Sequence, residues 1–376
     1  MSLFNKIVRF AWFVARAHCL RTIILFVTNK CNARCATCFY WKEINRPIRE
    51  LTVDEIKAIS SRLGRFETLQ ISGGEPFMRN DIVELCKIFI ATNKVNNVHI
   101  PTNGLLVNTI VSETEKIAQI DRKTKIVICC ALDGLHARHD MIRGVQGNFE
   151  NTVKTISLLK QLMVKNANLS VVVLTTLCKE NFKEQKEIGR YVQEILGVPH
   201  MYDVVRKGSA SDPSIEEVPM SPASGIPPED EPTADNSLPF AVRLRVNIQR
   251  EQRKIFSKCY RKARDGTKCA LQCPAGNSVV VIDPDGNMRL CENRISVGNL
   301  REYQYDIRKV LTAEAARIMK REIISTQCTC DHSLFLSMRL TYNRWQLILP
   351  VIRGTVVTLF NIAGKKHDGN EKVTFT

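Results

Sequence analysis

Strand-like and helix-like stretches alternate through the first two thirds of the chain. Apolar, β-branched runs at 22–28, 67–72, 97–101, 126–132, 170–177 and about 200–206 predict strands. Between them, apolar positions recur at helical spacing near 52–63, 80–93, 108–119, 148–164 and 181–195. Thr52-Val-Asp-Glu55 reads as a capping box at the first of these helices, and Asn80-Asp81 can cap the next. Strands alternating with amphipathic helices predict parallel βαβ units, hence an α/β sheet or barrel. In such barrels the chemistry gathers at the C-terminal ends of the strands.

The flanks differ. Over 1–20, Leu3, Phe4, Ile7, Val8, Ala11 and Val14 fall on one helical face, with Asn5, Lys6, Arg9 and Arg16 off it. The basic residues recur too often for a transmembrane span, which needs an uninterrupted apolar run of roughly 18 residues. Two readings stand for this helix: it lies in a membrane interface through Phe10, Trp12 and Phe13, or it packs on the open side of the barrel. Residues 208–240 turn acidic and proline-rich, the pattern of an exposed linker. Further on, Ser278-Val-Val-Val-Ile282 predicts a strand, Pro284-Asp-Gly-Asn287 a turn, and a second strand ends at Cys291. The tail from Leu334 carries apolar pieces around Trp345 and Thr355, broken by Pro350 and Arg353.

With 376 residues, 44% of them hydrophobic, the chain is long enough for one large domain and a smaller one. Fourteen cysteines without a signal peptide point to a reducing cytoplasm and away from a secreted disulfide scaffold. A formal charge of +16 predicts attraction to anionic surfaces, and it also suits a merely basic, solvated protein.

The chemistry concentrates in Cys31-Asn-Ala-Arg-Cys35-Ala-Thr-Cys38, directly after the first strand. Three thiolates at this spacing can ligate three irons of a four-iron cluster and leave the fourth open. A zinc site is the alternative, but zinc favours a CxxC pair with a distant second pair.

Three further motifs follow at strand ends: Ser72-Gly-Gly-Glu-Pro76, Thr102-Asn-Gly104, and Ala131-Leu-Asp-Gly134 with His139-Asp-Met-Ile-Arg-Gly144. In that order the set resembles the radical SAM enzymes, from about Arg21 to Lys207. The resemblance implies a partial (β/α)6 TIM-like barrel. It implies Cys31, Cys35 and Cys38 as ligands of a 4Fe–4S cluster whose open iron binds S-adenosylmethionine (SAM), cleaved reductively to a 5′-deoxyadenosyl radical. It also implies SAM contacts at Gly73, Gly74, Glu75, Asn103, Asp133 and Arg143. The glycines would let backbone approach the methionine moiety, Glu75 would meet its ammonium and Arg143 its carboxylate. Two positions depart from the pattern. Thr37 stands before the third cysteine, where relatives often have an aromatic residue or histidine, and Ala131 stands where they often have serine.

The C-terminal hairpin with a thiol at each end, followed by Cys328-Thr-Cys330, resembles the Twitch/SPASM extension of such enzymes. Cys273, Cys291, Cys328 and Cys330 suffice for one auxiliary 4Fe–4S cluster; Cys259 and Cys269 are in reserve, and zinc is the alternative. Cys19, Cys86, Cys129, Cys130 and Cys178 read as small core residues. His136 and His139 read as loop histidines, and His332 as a neighbour of the auxiliary ligands.

The expectation is therefore an α/β protein: an N-terminal helix (1–20), a radical SAM core (21–207), a linker and helix (208–258), a small α+β Twitch-like domain (259–332) and an apolar tail (333–376). It would abstract a hydrogen atom from an unactivated carbon, with ferredoxin or flavodoxin as reductant. The basic start and apolar tail favour a lipid-like or other small-molecule substrate at an anionic membrane surface of the cytoplasm. A peptide substrate ranks second, since no leader-binding domain is read at the N-terminus. A nucleotide cyclase ranks third, because the chain ends Val-Thr-Phe-Thr and lacks a glycine pair. A non-enzymatic iron–sulfur electron carrier is the alternative of another class, and nucleic acid is not an expected partner.

Overall fold

The computed structural model describes residues 20–206, 210–216, 247, 254–255, 258–259, 261–262, 265–267, 271–326, 335 and 338–339. The chain divides into two units, one of residues 18–219 with 275–323, the other of 1–17, 220–274 and 324–376.

The first unit holds a nine-stranded sheet. In chain order its elements are β1 (Thr22–Thr28), α1 (Val53–Arg62), β2 (Thr68–Gly73), α2 (Ile82–Asn93), β3 (Asn97–Thr102), α3 (Val107–Ile120), β4 (Lys125–Ala131), α4 (His136–Arg143), α5 (Asn148–Lys165), β5 (Leu169–Leu177), α6 (Gln185–Arg190) and β6 (His200–Val204). Then come β7 (Val279–Ile282), β8 (Asn287–Arg289), β9 (Ser296–Asn299), α7 (Ile307–Thr312) and α8 (Glu314–Ser325). The strands lie in the order β6-β5-β4-β3-β2-β1-β7-β8-β9, and β1 to β6 are parallel throughout. This is the parallel α/β sheet that the alternation predicts, with the six strands of the partial (β/α)6 barrel that the resemblance implies.

Burial follows from topology. Every residue of β1 is buried, because β2 and β7 cover its two edges. In β3, Val98, Ile100 and Thr102 are buried while His99 and Pro101 on the opposite face are only half-buried. The capping box is present in both directions: Glu55 N donates to Thr52 Oγ1 at 3.2 Å and Thr52 N to Glu55 Oε2 at 2.9 Å. Glu55 also accepts from Arg301 Nε at 2.6 Å and Tyr305 Oη at 3.1 Å, which fastens α1 to the loop after β9. Its hydrogen bond to Arg301 lowers its pKa to about 2.

Three differences from the sequence reading stand out. The stretch of His136 and His139 is the helix α4 and not a loop; it stops at Gly144, whose φ of +65° favours glycine. The predicted helix 181–195 breaks into a 3₁₀ turn at Phe182–Glu184, α6, and a π turn at Tyr191–Leu196. The expected hairpin forms, with Gly286 (φ +86°) in its turn, and β7 runs parallel to β1, so the segment extends the barrel sheet.

Across the mouth of the sheet, Arg206, just after β6, pairs with Glu292, just after β8, at 2.8 Å, with 12% and 4% of the side chains exposed. The same guanidinium lies 3.9 Å from the ring centroid of Phe39. Elements at opposite ends of the strand order are thereby tied together.

In the second unit Phe335 and Arg339 are buried, and Arg339 Nη1 donates to Leu271 O at 3.5 Å. Among the described residues no helix is long and apolar enough to cross a membrane. Residues 1–19 and 340–376, which carry the membrane reading, lie outside the described residues.

Candidate functional site

The loop after β1 carries Cys31, Cys35 and Cys38, at the C-terminal end of the sheet, where the motifs are expected. Gly74 N donates to Thr28 O and Glu75 N to Lys30 O, both at 2.8 Å. A Cβ on Gly73 would stand 2.3 Å from Thr28 O, and one on Gly74 2.1 Å from Lys30 O. The two glycines therefore let the β2 loop lie against the cysteine loop.

Other contacts frame the same loop. Asn45, in the left-handed region at φ +59°, accepts from Cys31 N and donates to Cys31 O, each at 3.0 Å. Asn29 Nδ2 donates to Glu43 O at 2.9 Å and Arg46 O at 2.7 Å. Ala36 N donates to Ile142 O at 2.8 Å, and Ser211 Oγ donates to Cys35 O at 3.0 Å and to Ala36 O at 2.9 Å. The stretch 210–216, read as exposed linker, is thus partly core: Ala210 and Ile215 are each 4% exposed.

The three thiols are free and half-buried. Burial pushes Cys31 up to about 11 and Cys38 up to about 12. Donors point at the sulfurs: Ala33 N at 3.5 Å and Asn103 Nδ2 at 3.9 Å from Cys31 Sγ, and Arg143 Nη1 at 3.3 Å from Cys35 Sγ. Three closely spaced thiols with N–H donors and a guanidinium around them suit an anionic, thiolate-held cluster.

Glu75 sits behind the loop and is 1% exposed. It accepts from Phe77 N at 3.2 Å, Thr102 Oγ1 at 2.9 Å and Asn103 N at 2.7 Å. Burial raises its pKa to about 7, against the lowering effect of these donors. Asn103 reaches back to Asn32 Oδ1 at 2.8 Å, and its carbonyl accepts from Asn148 and Thr152 at the start of α5.

Asp133 is fully buried. Its Oδ1 accepts from Thr176 N at 2.7 Å, and its Oδ2 stands 3.4 Å from Arg143 Nε. That ion pair is not a well-formed hydrogen bond, so both atoms lack a hydrogen-bond partner among the described residues. Burial raises the Asp133 carboxyl, opposed by Arg143. Burial also works against the Arg143 charge, but Cys35 and Asp133 outweigh it and the guanidinium stays protonated. His139, buried in α4, accepts Asp133 N at Nδ1 (3.0 Å), and burial lowers its pKa to about 3.

Cys31, Cys35, Cys38, Glu75, Asn103, Asp133 and Arg143 are therefore brought together by direct contacts, with Gly73 and Gly74 beneath the loop. Cys86, Cys130 and Cys178 are buried, and Cys129 is half-buried on β4. Cys291 is buried beyond β8 and Cys273 is half-buried in the other unit. Cys19, Cys269, Cys328, Cys330 and His332 lie outside the described residues. Sequence reasoning misses Asn29, Asn45, Ser211 and Arg206. Asparagine's tolerance of positive φ was a signal for Asn45 only; the others act through contacts distant in sequence.

Residues 25–192 match the family model for the radical SAM superfamily. An AdoMet-dependent heme synthase of Methanosarcina barkeri is 28% identical over 203 residues, 53% of this chain and 55% of that protein. The Bacillus subtilis protein AlbA, of antilisterial bacteriocin subtilosin biosynthesis, is 26% identical over 310 residues, 77% of this chain and 61% of that one. The chain thus spans between half and two thirds of the length of these relatives. Streptococcus suis SuiB bound to its precursor peptide SuiA shares the fold with a TM-score of 0.53 at 14% identity, covering 89% of this chain and 76% of that one.

Proposed function

We propose that this chain, a member of the radical SAM superfamily, is an enzyme that abstracts a hydrogen atom from an unactivated carbon of a peptide substrate. The observation that carries the reading is the Cys31–Cys35–Cys38 loop with Arg143 donating to Cys35 Sγ and Glu75 buried behind it. When bound, the cluster and SAM supply one-electron cleavage of the sulfonium to the 5′-deoxyadenosyl radical. The residues fit that role: Cys31, Cys35 and Cys38 would hold the cluster, and Glu75, Asn103 and Arg143 the amino-acid end of SAM. Asp133 and His139 act one step back. Asp133 pairs with Arg143, and His139 holds the Asp133 backbone while staying neutral. Gly73 and Gly74 keep the cysteine loop seated on β2.

The peptide class rests on the similarity to a bacteriocin biosynthesis protein and on the fold shared with a precursor-peptide complex. No described feature favours the lipid substrate or the membrane surface expected from the flanks. A second cluster on Cys273, Cys291, Cys328 and Cys330 is supported by the cysteine pattern alone.

Anaerobic reconstitution of the wild type and of a Cys31→Ala/Cys35→Ala/Cys38→Ala variant, with iron analysis, EPR and assay of 5′-deoxyadenosine, tests both points. About eight irons in the wild type and about four in the variant, with SAM cleavage in the wild type only, supports both clusters. About four and none removes the second cluster. A full iron complement without SAM cleavage returns the chain to the electron-carrier class.

A further inference from the structure

We infer that the basic groove beside the cysteine loop is the docking surface for an acidic electron-donor protein of the flavodoxin type. This rests on the reading of the cysteine loop as the cluster site.

The groove has a volume of about 560 Å³ and is lined by Lys30, Asn45, Arg46, Pro47, Ile48 and Glu50. Its wall is the segment 41–50, which Asn29 and Asn45 pin to the cysteine loop. Between Lys30 and Glu50 the sequence places five basic residues, Lys30, Arg34, Lys42, Arg46 and Arg49, against two acidic ones, Glu43 and Glu50. All five basic residues are exposed. Arg46 lies 3.4 Å from Glu43 and Arg49 3.7 Å from Glu55, which leaves Lys30, Arg34 and Lys42 against Glu50 and a surface of net positive charge. Trp41 and Ile48 are 42% and 37% exposed on the same segment. A cationic rim with a few exposed apolar side chains suits a small, transient and charge-steered encounter.

What makes this surface suited to electrons is its floor. Asn45 lines the groove and holds the Cys31 backbone through two hydrogen bonds of 3.0 Å. A donor seated there is one side-chain amide away from the backbone of a cluster ligand. The step would be a one-electron transfer: the donor's anionic flavin hydroquinone would lose one electron to become the neutral semiquinone, with no proton released, and the cluster held by the cysteines would gain that electron. No atom passes between the proteins.

The test uses the anaerobically reconstituted full chain, with flavodoxin hydroquinone as probe and dithionite as a small-molecule control. Cluster reduction is followed by EPR, and donor carboxylates are cross-linked to protein amines by carbodiimide. Wild-type reduction by flavodoxin should slow roughly tenfold or more between low and moderate salt, and cross-links should map to Lys30 or Lys42. Lys42→Glu/Arg46→Glu/Arg49→Glu should raise the donor concentration for half-maximal rate roughly tenfold while dithionite reduction is unchanged. Arg122→Glu/Lys123→Glu/Lys165→Glu, the same charge change at the N-terminal ends of β4 and β5, should leave both rates near wild type. Equal effects of the two triple variants, or cross-links elsewhere, would overturn the docking surface. A chain that dithionite cannot reduce at all overturns the cluster reading itself, and with it this inference.

Discussion

Arg143 donates from Nη1 to Cys35 Sγ at 3.3 Å, across 108 residues of sequence. The contact brings a fixed positive charge to the middle thiol of the three. Its other side faces Asp133, which is buried, while the Arg143 side chain itself is 12% exposed, so the charge beside the sulfur is held by a counter-ion largely shielded from solvent. One cation thus serves a carboxylate and a thiol together.

Replacing Asp133 with asparagine strands that cation. Breaking a buried pair by removing one partner costs about 3–5 kcal/mol. We expect Asp133→Asn to lower the urea midpoint of the metal-free chain accordingly and to reduce iron uptake on reconstitution. A wild-type midpoint would mean that the Arg143 charge is satisfied by other groups.

Gly74 tests the loop packing. An alanine methyl would overlap Lys30 O, whereas at Gly64 the nearest heavy atom to a new Cβ is 3.7 Å away. Gly74→Ala should cost roughly 3 kcal/mol or more, and Gly64→Ala less than about 1 kcal/mol. Iron binding should fall in the first variant alone. Equal melting temperatures would show that the β2 loop can shift without disturbing the cysteines.

The Glu55–Arg301 pair makes stability depend on pH. The Glu55 pKa falls from an ordinary 4.5 to about 2 in the folded chain. A depressed carboxylate contributes above its unfolded value and loses that contribution as pH falls through the folded one. Glu55→Gln should therefore destabilise the protein at pH 7 by about 3 kcal/mol, and the difference should shrink between pH 4.5 and pH 2. Chemical denaturation of both proteins across that range is the measurement. A pH-independent difference would assign the loss to the capping box alone.

Arg206 and Glu292 supply the fourth test. Arg206→Met leaves Glu292 without its 2.8 Å cation and removes the guanidinium over Phe39. We expect a loss of about 3–5 kcal/mol, partly recovered in Arg206→Met/Glu292→Met. Faster proteolysis of segment 275–323 should accompany the single variant. Additive losses in the double variant would show that the two side chains act separately.

The parallel strands were legible because their apolar runs are long and regularly spaced. The Thr52/Glu55 box was legible because capping is local, and the three cysteines because their ligand chemistry lies within eight residues. What stayed hidden is tertiary. His136–Arg143 is polar and short, so it shows no apolar stripe, and its helix is recognisable only from the stop at Gly144. The burial of Asp133 against Arg143 and Thr176 joins residues distant in sequence and leaves no local mark. Ser211 sits in a polar, proline-containing stretch, and nothing local marks that it returns to Cys35. The roles of Gly73 and Gly74 needed the position of Lys30, which only the folded chain supplies.

The parallel pairing of β1 with β7 joins Thr22 to Val279, one of the longest separations in sequence within the sheet. Until residue 282 has left the ribosome, the β1 edge that β7 will cover has no partner from that strand. An uncovered apolar edge is a template for pairing with another chain. High contact order of this kind slows folding and lengthens the exposure. The barrel is thus completed last at the strand that leads into the cysteine loop, and chains cut short before residue 275 should aggregate during synthesis, before any iron is acquired.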